Sequence, residues 1–360
     1  DSGNDTLDLS GRSDSLAFTI DLRLGSAQFT ANPYGDDGVY RVRSVEHVIG
    51  TEYADSITGT DQGNRLLGGS GNDTLSGGDG ADTLNGGTGN DRFFVDSAMD
   101  VIVETSSGGT GDTVNTSVSY TLSAGAHVEI LQTTDVAGTS AIFLTGNELS
   151  QHIIGNAGNN QLASSIGDAD RLSGKGGDDT YWLSNAGDMV KETVGGGTDT
   201  VRAAVSYKLA NAAKVEILAT NDVDGTSSID LTGNKYAQAL VGNAGANRLN
   251  GGLGADTMTG GDGADVFVFS TSARNGNVDT ITDFIHGTDT IELENAVFSR
   301  LAAGPLAATA FETVTDSTAT EATIRIMYDS DSGDLLFDID GTGANTAIVV
   351  AHLTAGLTLT

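Results

Sequence analysis

The sequence predicts an all-β chain built as a solenoid of short repeats. Three observations carry that prediction: a strict nine-residue period, 50 glycines among 360 residues, and a hydrophobic share of 38% that is too small for a large globular core. The period is clearest in residues 50–94, which divide without a gap into GTEYADSIT, GTDQGNRLL, GGSGNDTLS, GGDGADTLN and GGTGNDRFF. Position 6 carries Asp55, Asn64, Asp73, Asp82 and Asp91, and position 8 carries Ile57, Leu66, Leu75, Leu84 and Phe93. Glycines at positions 1, 2 and 4 permit positive φ and let backbone carbonyls point inward. Position 6 adds charge, and the last three residues suit a short strand. Oxygen donors of this kind suit a hard cation such as calcium, which takes six to eight of them at about 2.3–2.6 Å.

The last three units fit G-G-x-G-x-D-x-U-x, with U a large apolar residue, and the five in register resemble the RTX (hemolysin-type) calcium-binding repeat. The resemblance implies a parallel β-roll or β-helix in which two nonapeptides make one coil, with several calcium ions between the turns of repeats n and n+2. Carried over by position, it pairs Asp55 with Asp73, Asp73 with Asp91, and Asn64 with Asp82. A second array reads GNELSQHII, GNAGNNQLA, SSIGDADRLS with one extra residue, and GKGGDDTYW; its position 6 runs Gln151, Asn160, Asp170, Asp179. A third reads GNKYAQALV, GNAGANRLN, GGLGADTMT and GGDGADVFV, with Gln238, Asn247, Asp256 and Asp265 there. Both of these arrays begin degenerate and end acidic. The metal-ligand set implied is Asp55, Asn64, Asp73, Asp82, Asp91, Asp170, Asp179, Asn247, Asp256 and Asp265. With them go the turn glycines Gly69, Gly71, Gly78, Gly80, Gly87, Gly89, Gly177, Gly252, Gly254, Gly261 and Gly263. An amide offers an oxygen without charge, so binding is expected to be firm around Asp73, Asp82, Asp91, Asp179, Asp256 and Asp265 and weak around Asn160 and Gln238.

Between the arrays lie two inserts that align with each other, one ending at Val128-Glu129-Ile130-Leu131 and the other at Val215-Glu216-Ile217-Leu218. Each contains an alternating run, DTVNTSVSYTL or DTVRAAVSYKL, expected to form one strand with an apolar face in a wider coil. Glu104 with Asp112, and Glu192 with Asp199, recur at matching places; extra calcium ligands are one reading of them and solvated surface acids the favoured one. The chain thus divides into residues 1–49, a β insert preceded by a truncated repeat; 50–94, the first array; 95–145, an insert; 146–182, the second array; 183–232, an insert; 233–268, the third array; and 269–360, a C-terminal cap. The opening Asp1-Ser2-Gly3-Asn4-Asp5-Thr6-Leu7 reads as the second half of a nonapeptide, and the expectation is a fragment of a longer protein. Residues 8–49 contain an alternating segment at Phe18–Leu22 and a turn at Gly35-Asp36-Asp37-Gly38. In the cap, D-x-I-x-D-F from Asp279 and G-x-D-x-I-x-L from Gly287 are followed by a hairpin about Ser330–Asp334. Asp329-x-Asp331-x-Gly333 mimics an EF-hand loop, but its glycine is not sixth and Asp340 stands where Glu is required.

The formal charge is −32, from 49 acidic against 17 basic residues, which argues against nucleic acid or an anionic membrane as partner. Cysteine is absent, which excludes disulfides and thiol chemistry, and no run has the length of a membrane span. Five histidines are scattered without an HExxH, and no G-x-S-x-G elbow or Walker loop occurs. The chain is therefore read as non-catalytic. Its lead-in and its C-terminal part resemble the C-terminal domain of serralysin-like, type I secreted proteins. That resemblance implies a secreted, extracellular module that carries its secretion signal in the C-terminal region 269–360, meets the type I secretion apparatus, folds on export as calcium bridges its coils, and follows a catalytic domain upstream. The alternative is a structural surface protein, an S-layer protein or adhesin, whose repeats are the working part and whose partners are a cell-surface polysaccharide or further copies of itself.

Overall fold

The structure, a computed structural model, describes residues 4–11, 17–24, 26–29, 39–41, 43–274 and 276–359. The turn read at Gly35–Gly38 and the first three residues lie outside the described set. The chain forms two compact units, Asp1–Lys191 with Gly195–Gly197, and Glu192–Val194 with Thr198–Thr360.

In the first unit each nonapeptide ends in a strand of three to six residues whose middle side chain points inward. Thr74–Ser76 pairs in parallel with Ser56–Thr58 on one side and with Arg92–Val95 on the other, while the intervening strands Arg65–Ser70 and Thr83–Thr88 pair with each other. Alternate nonapeptides thus go to different sheets, and two of them make one coil. One sheet runs Thr6–Asp8, His47–Ile49, Arg65–Ser70, Thr83–Thr88, Val101–Val103; the opposing one runs from Met189–Val190 to Val39–Arg41. Register puts the position-8 residues directly above one another, giving an unbroken row Ile20, Ile57, Leu75, Phe93, Val114, Leu131, Ile153, Leu172, Val190. None of these is more than 4% exposed. A three-residue strand cannot persist alone; burial of each rung, worth about 1.5–3 kcal/mol, is what holds it.

The second unit repeats the plan. Val201, Leu218, Leu240, Met258 and Ile281 form one row, and Tyr207, Leu231, Leu249, Phe267 and Ile291 the other. The strands Asp279–Ile281 and Thr290–Leu293 in the expected cap therefore add one more rung to each row. The hairpin is present, with Ile326–Asp329 antiparallel to Asp334–Phe337, and the tail strand Ile348–His352 pairs with Asp334–Phe337 and with Asp279–Ile281.

The inserts differ from expectation in one respect. The run from Asp112 to Leu122 is two strands, Thr113–Thr116 and Tyr120–Thr121, in different sheets. Thr116 Oγ1 closes a turn between them, donating to the Val118 carbonyl at 2.7 Å and accepting the Val118 amide at 3.1 Å. The second insert breaks at the corresponding place, between Thr200–Ala203 and Tyr207–Lys208, where Ala203 aligns in sequence with Thr116. Both inserts are coils of the solenoid, with a corner where alternation alone suggested continuity.

Leu75→Ala removes a fully buried rung between Ile57 and Phe93, and is expected to cost about 2–5 kcal/mol in denaturant unfolding of the folded chain. A cost below about 1 kcal/mol would mean that the row is not a packed core.

Candidate metal centre

Position 6 lies at the junction of turn and strand, where the coil reverses, and parallel pairing of the strands brings it level with position 6 of the next coil. Its carboxylate reaches across one coil: Asp73 Oδ1 accepts the Asp55 amide at 2.7 Å, Asp91 Oδ1 the Asp73 amide at 2.7 Å, and Asp82 Oδ1 the Asn64 amide at 2.7 Å. The same bond joins Gln151 to Asp170, Asn160 to Asp179, Gln238 to Asp256, and Asn247 to Asp265, at 2.7–2.8 Å. The three pairs read from the sequence are thus brought together. All ten position-6 residues named there are at most 4% exposed, and all eleven turn glycines have φ between +88° and +129°, where a Cβ is strained.

The second carboxylate oxygen has a different fate. Oδ2 of Asp73, Asp82, Asp91, Asp170, Asp256 and Asp265 is buried without a hydrogen-bond partner. The glycine at position 1 makes room for it: a Cβ on Gly68, Gly77, Gly86, Gly251 or Gly260 would overlap that atom of its own repeat. Burial pushes the Asp73 carboxyl up to about 8, with the neighbouring Asp91, Asp55 and Glu104 carboxylates adding to the shift. Burial likewise raises Asp170 and Asp256 to about 7, and Asp82 and Asp265 to about 6, in each case against the lowering effect of the cross-coil amide bond. A row of buried carboxyl oxygens without hydrogen-bond partners is satisfied by a proton or by a cation in its place, and an all-oxygen donor set suits calcium.

Where position 6 is an amide, the turn closes on itself. Asn64 Oδ1 accepts the Thr60 amide at 2.6 Å, Asn160 Oδ1 the Asn156 amide at 2.7 Å, and Asn247 Oδ1 the Asn243 amide at 2.8 Å; Gln151 and Gln238 do the same from Asn147 and Asn234. Asp55 joins this group, because its Oδ1 accepts the Phe18 amide and its Oδ2 the Thr51 amide and hydroxyl. Asp55, Asn64 and Asn247 therefore share the register of the acidic turns without a bare oxygen.

The cross-coil bond also involves residues that repeat-matching does not find. Asp100, Asp112, Asp188, Asp279 and Asp289 accept the amides of Asp82, Asp91, Asp170, Asp256 and Asp265. Glu46, Glu129 and Glu216 accept those of Asp5, Asp112 and Asp199. The signal was an acid two residues before a buried aliphatic residue, which persists where the glycines are lost, as in Asp112-Thr113-Val114 and Glu129-Ile130-Leu131. One expectation is corrected here: Glu104, Asp112, Glu192 and Asp199 are not solvated surface acids but are 3%, 0%, 3% and 1% exposed, because each stands at the inner edge of an insert coil.

With that geometry in view, the family model of the RTX calcium-binding nonapeptide repeat (4 copies) matches residues 58–93, 145–181 and 232–268, one segment at each of the three arrays. The chain carries RTX calcium-binding nonapeptide repeats. RTX repeats bind calcium, and their β-solenoid is a structural fold. A comparison with curated proteins returns no match.

Proton linkage follows from the direction of the shifts. Carboxyls that titrate near 4 when unfolded and at about 6–8 when folded lend the ion-free fold a stability that is complete below about pH 4 and lost as pH rises through 6–8. In chelator, Tm is expected to fall between about pH 4 and 8, and saturating calcium to remove most of that slope. Asp73→Asn, which can close its turn as Asn64 does, is expected to raise Tm in chelator at pH 8 and to shrink the calcium response. A flat Tm profile in chelator would contradict the assignment.

Proposed function

We propose that this chain is the calcium-binding module of a type I secreted extracellular protein, folding on export when calcium bridges successive coils, and belonging with a catalytic domain upstream. The observation that carries the reading is the row of buried, unpartnered Asp Oδ2 atoms held in coil-to-coil register. The carboxylates of Asp73, Asp82, Asp91, Asp170, Asp179, Asp256 and Asp265 would hold the ions, together with carbonyls of the turns shaped by Gly69, Gly71 and their counterparts. Asp55, Asn64 and Asn247 complete the registers as weaker contributors. Bound calcium supplies the positive charge that these buried oxygens lack.

The chain's own residues supply the switch. Without the ion, clustered acids repel one another across coils, and rows of single apolar side chains are a thin core for a chain of charge −32. With it, binding energy becomes folding energy. Extracellular calcium modules bind at about 10⁻⁴–10⁻³ M, so such a chain stays open in a calcium-poor cytosol and closes outside. At ten times Kd each independent site contributes about 1.4 kcal/mol, so a handful decides an equilibrium whose total is about 5–15 kcal/mol. Among the described residues no helix is long and apolar enough to cross a membrane.

Far-UV circular dichroism of the purified chain, titrated from chelator to about 10 mM calcium with magnesium as control, tests the mechanism. A cooperative gain of β signal with calcium and not with magnesium is expected. A compact β fold in excess chelator at neutral pH would overturn folding on export.

A further inference from the structure

Glu104 follows the strand Val101–Val103 and belongs to no nonapeptide. Its carboxylate nevertheless joins those of Asp91 and Asp112: one oxygen from each of the three lies within 4.8 Å of the other two. All three side chains are buried, at 3%, 1% and 0% exposure. Each is anchored by one oxygen. Asp91 Oδ1 accepts the Asp73 amide at 2.7 Å, Asp112 Oδ1 the Asp91 amide at 2.7 Å, and Glu104 Oε1 the Thr105 amide at 3.1 Å. Their other oxygens, Asp91 Oδ2, Asp112 Oδ2 and Glu104 Oε2, are buried with no hydrogen-bond partner. Gly86 leaves room for two of them, since a Cβ there would overlap Asp91 Oδ2 and sit 2.6 Å from Glu104 Oε2.

Three carboxylates packed together out of water repel unless a cation lies among them. Oxygens within 4.8 Å of one another can share a calcium ion, whose bonds of about 2.3–2.6 Å let opposite ligands lie up to about 5 Å apart. We propose that Asp91, Glu104 and Asp112 form a calcium site at the seam between the first array and the insert that follows, with Glu104 as a ligand from outside the repeat. The site rests on the calcium reading of the array for Asp91 and extends it by two acids of the insert. Three carboxylates bind a divalent ion more tightly than two, so this site fills before the ordinary turns and fastens the end of the array to the next coil.

Equilibrium dialysis of the full chain against about 1 µM–10 mM calcium decides the matter, with Glu104→Gln compared with wild type and with the array variant Asp256→Asn. Glu104→Gln is expected to lose one ion from the tightest class, its Kd rising at least about tenfold, while Asp256→Asn retains that ion. A Glu104→Gln isotherm that coincides with wild type, with the array ions still bound, overturns the seam site and leaves the array reading intact. No uptake by either chain overturns both. Should Glu104→Gln fail to fold at the highest calcium, Glu104→Asp keeps the charge but withdraws the oxygens by one methylene. A folded chain with one weakened tight site then supports the proposal, and a wild-type isotherm overturns it.

Discussion

The cross-coil bond from a position-6 carboxylate to the position-6 amide one coil earlier is the constraint on which the rest depends. The strands are mostly three or four residues long, so their own ladders specify register weakly. A side chain that must reach an amide 18 residues earlier, as Asp73 reaches Asp55 and Asp91 reaches Asp73, fixes the height of each turn against the next. Once the turns are level, the apolar residue two places on falls above its counterpart and the core row assembles. A slip of one residue would break the bond and turn the row outward together.

The second oxygen of the same group separates two kinds of turn. An amide can fold back and satisfy its own turn, as Asn160 does with Asn156, and asks nothing of the solvent. A carboxylate leaves Oδ2 bare beneath a glycine that has no Cβ to fill the space, as at Asp82 and Gly77. Burying that charge is costly, and the raised carboxyls record the cost. Acidic turns therefore leave an oxygen for a cation to satisfy, and amide turns do not.

The solenoid, its coil of two nonapeptides and the inward rows were legible because period, glycine placement and position-8 residues all encode one geometry. The insert coils were less so. Thr116 and Val118 keep the alternation of a strand, and only the hydroxyl turn between them shows the corner. Glu129 and Glu216 escaped notice because a longer acid does the work of Asp without the glycines that flag it. The burial of Glu104 was illegible for a related reason: an isolated acid beside Thr and Ser resembles surface, and only the closed coil places it at 3% exposure. Lys175 shows the tolerance of the pattern, adopting φ +89° at a position that the other acidic turns of GGxGxD form give to glycine.

In each of the three arrays, turns with no bare oxygen come before turns that have one: Asp55 and Asn64 precede Asp73, Gln151 and Asn160 precede Asp170, Gln238 and Asn247 precede Asp256. In a stack where each coil contacts only its neighbours, this order gives the array a direction of growth. Under the folding mechanism proposed above, the end whose turns satisfy themselves would order first and serve as a template, so that each later coil adds to an existing edge instead of nucleating anew. By the same mechanism, the acid content would set the ion concentration at which ordering passes from one end of the array to the other.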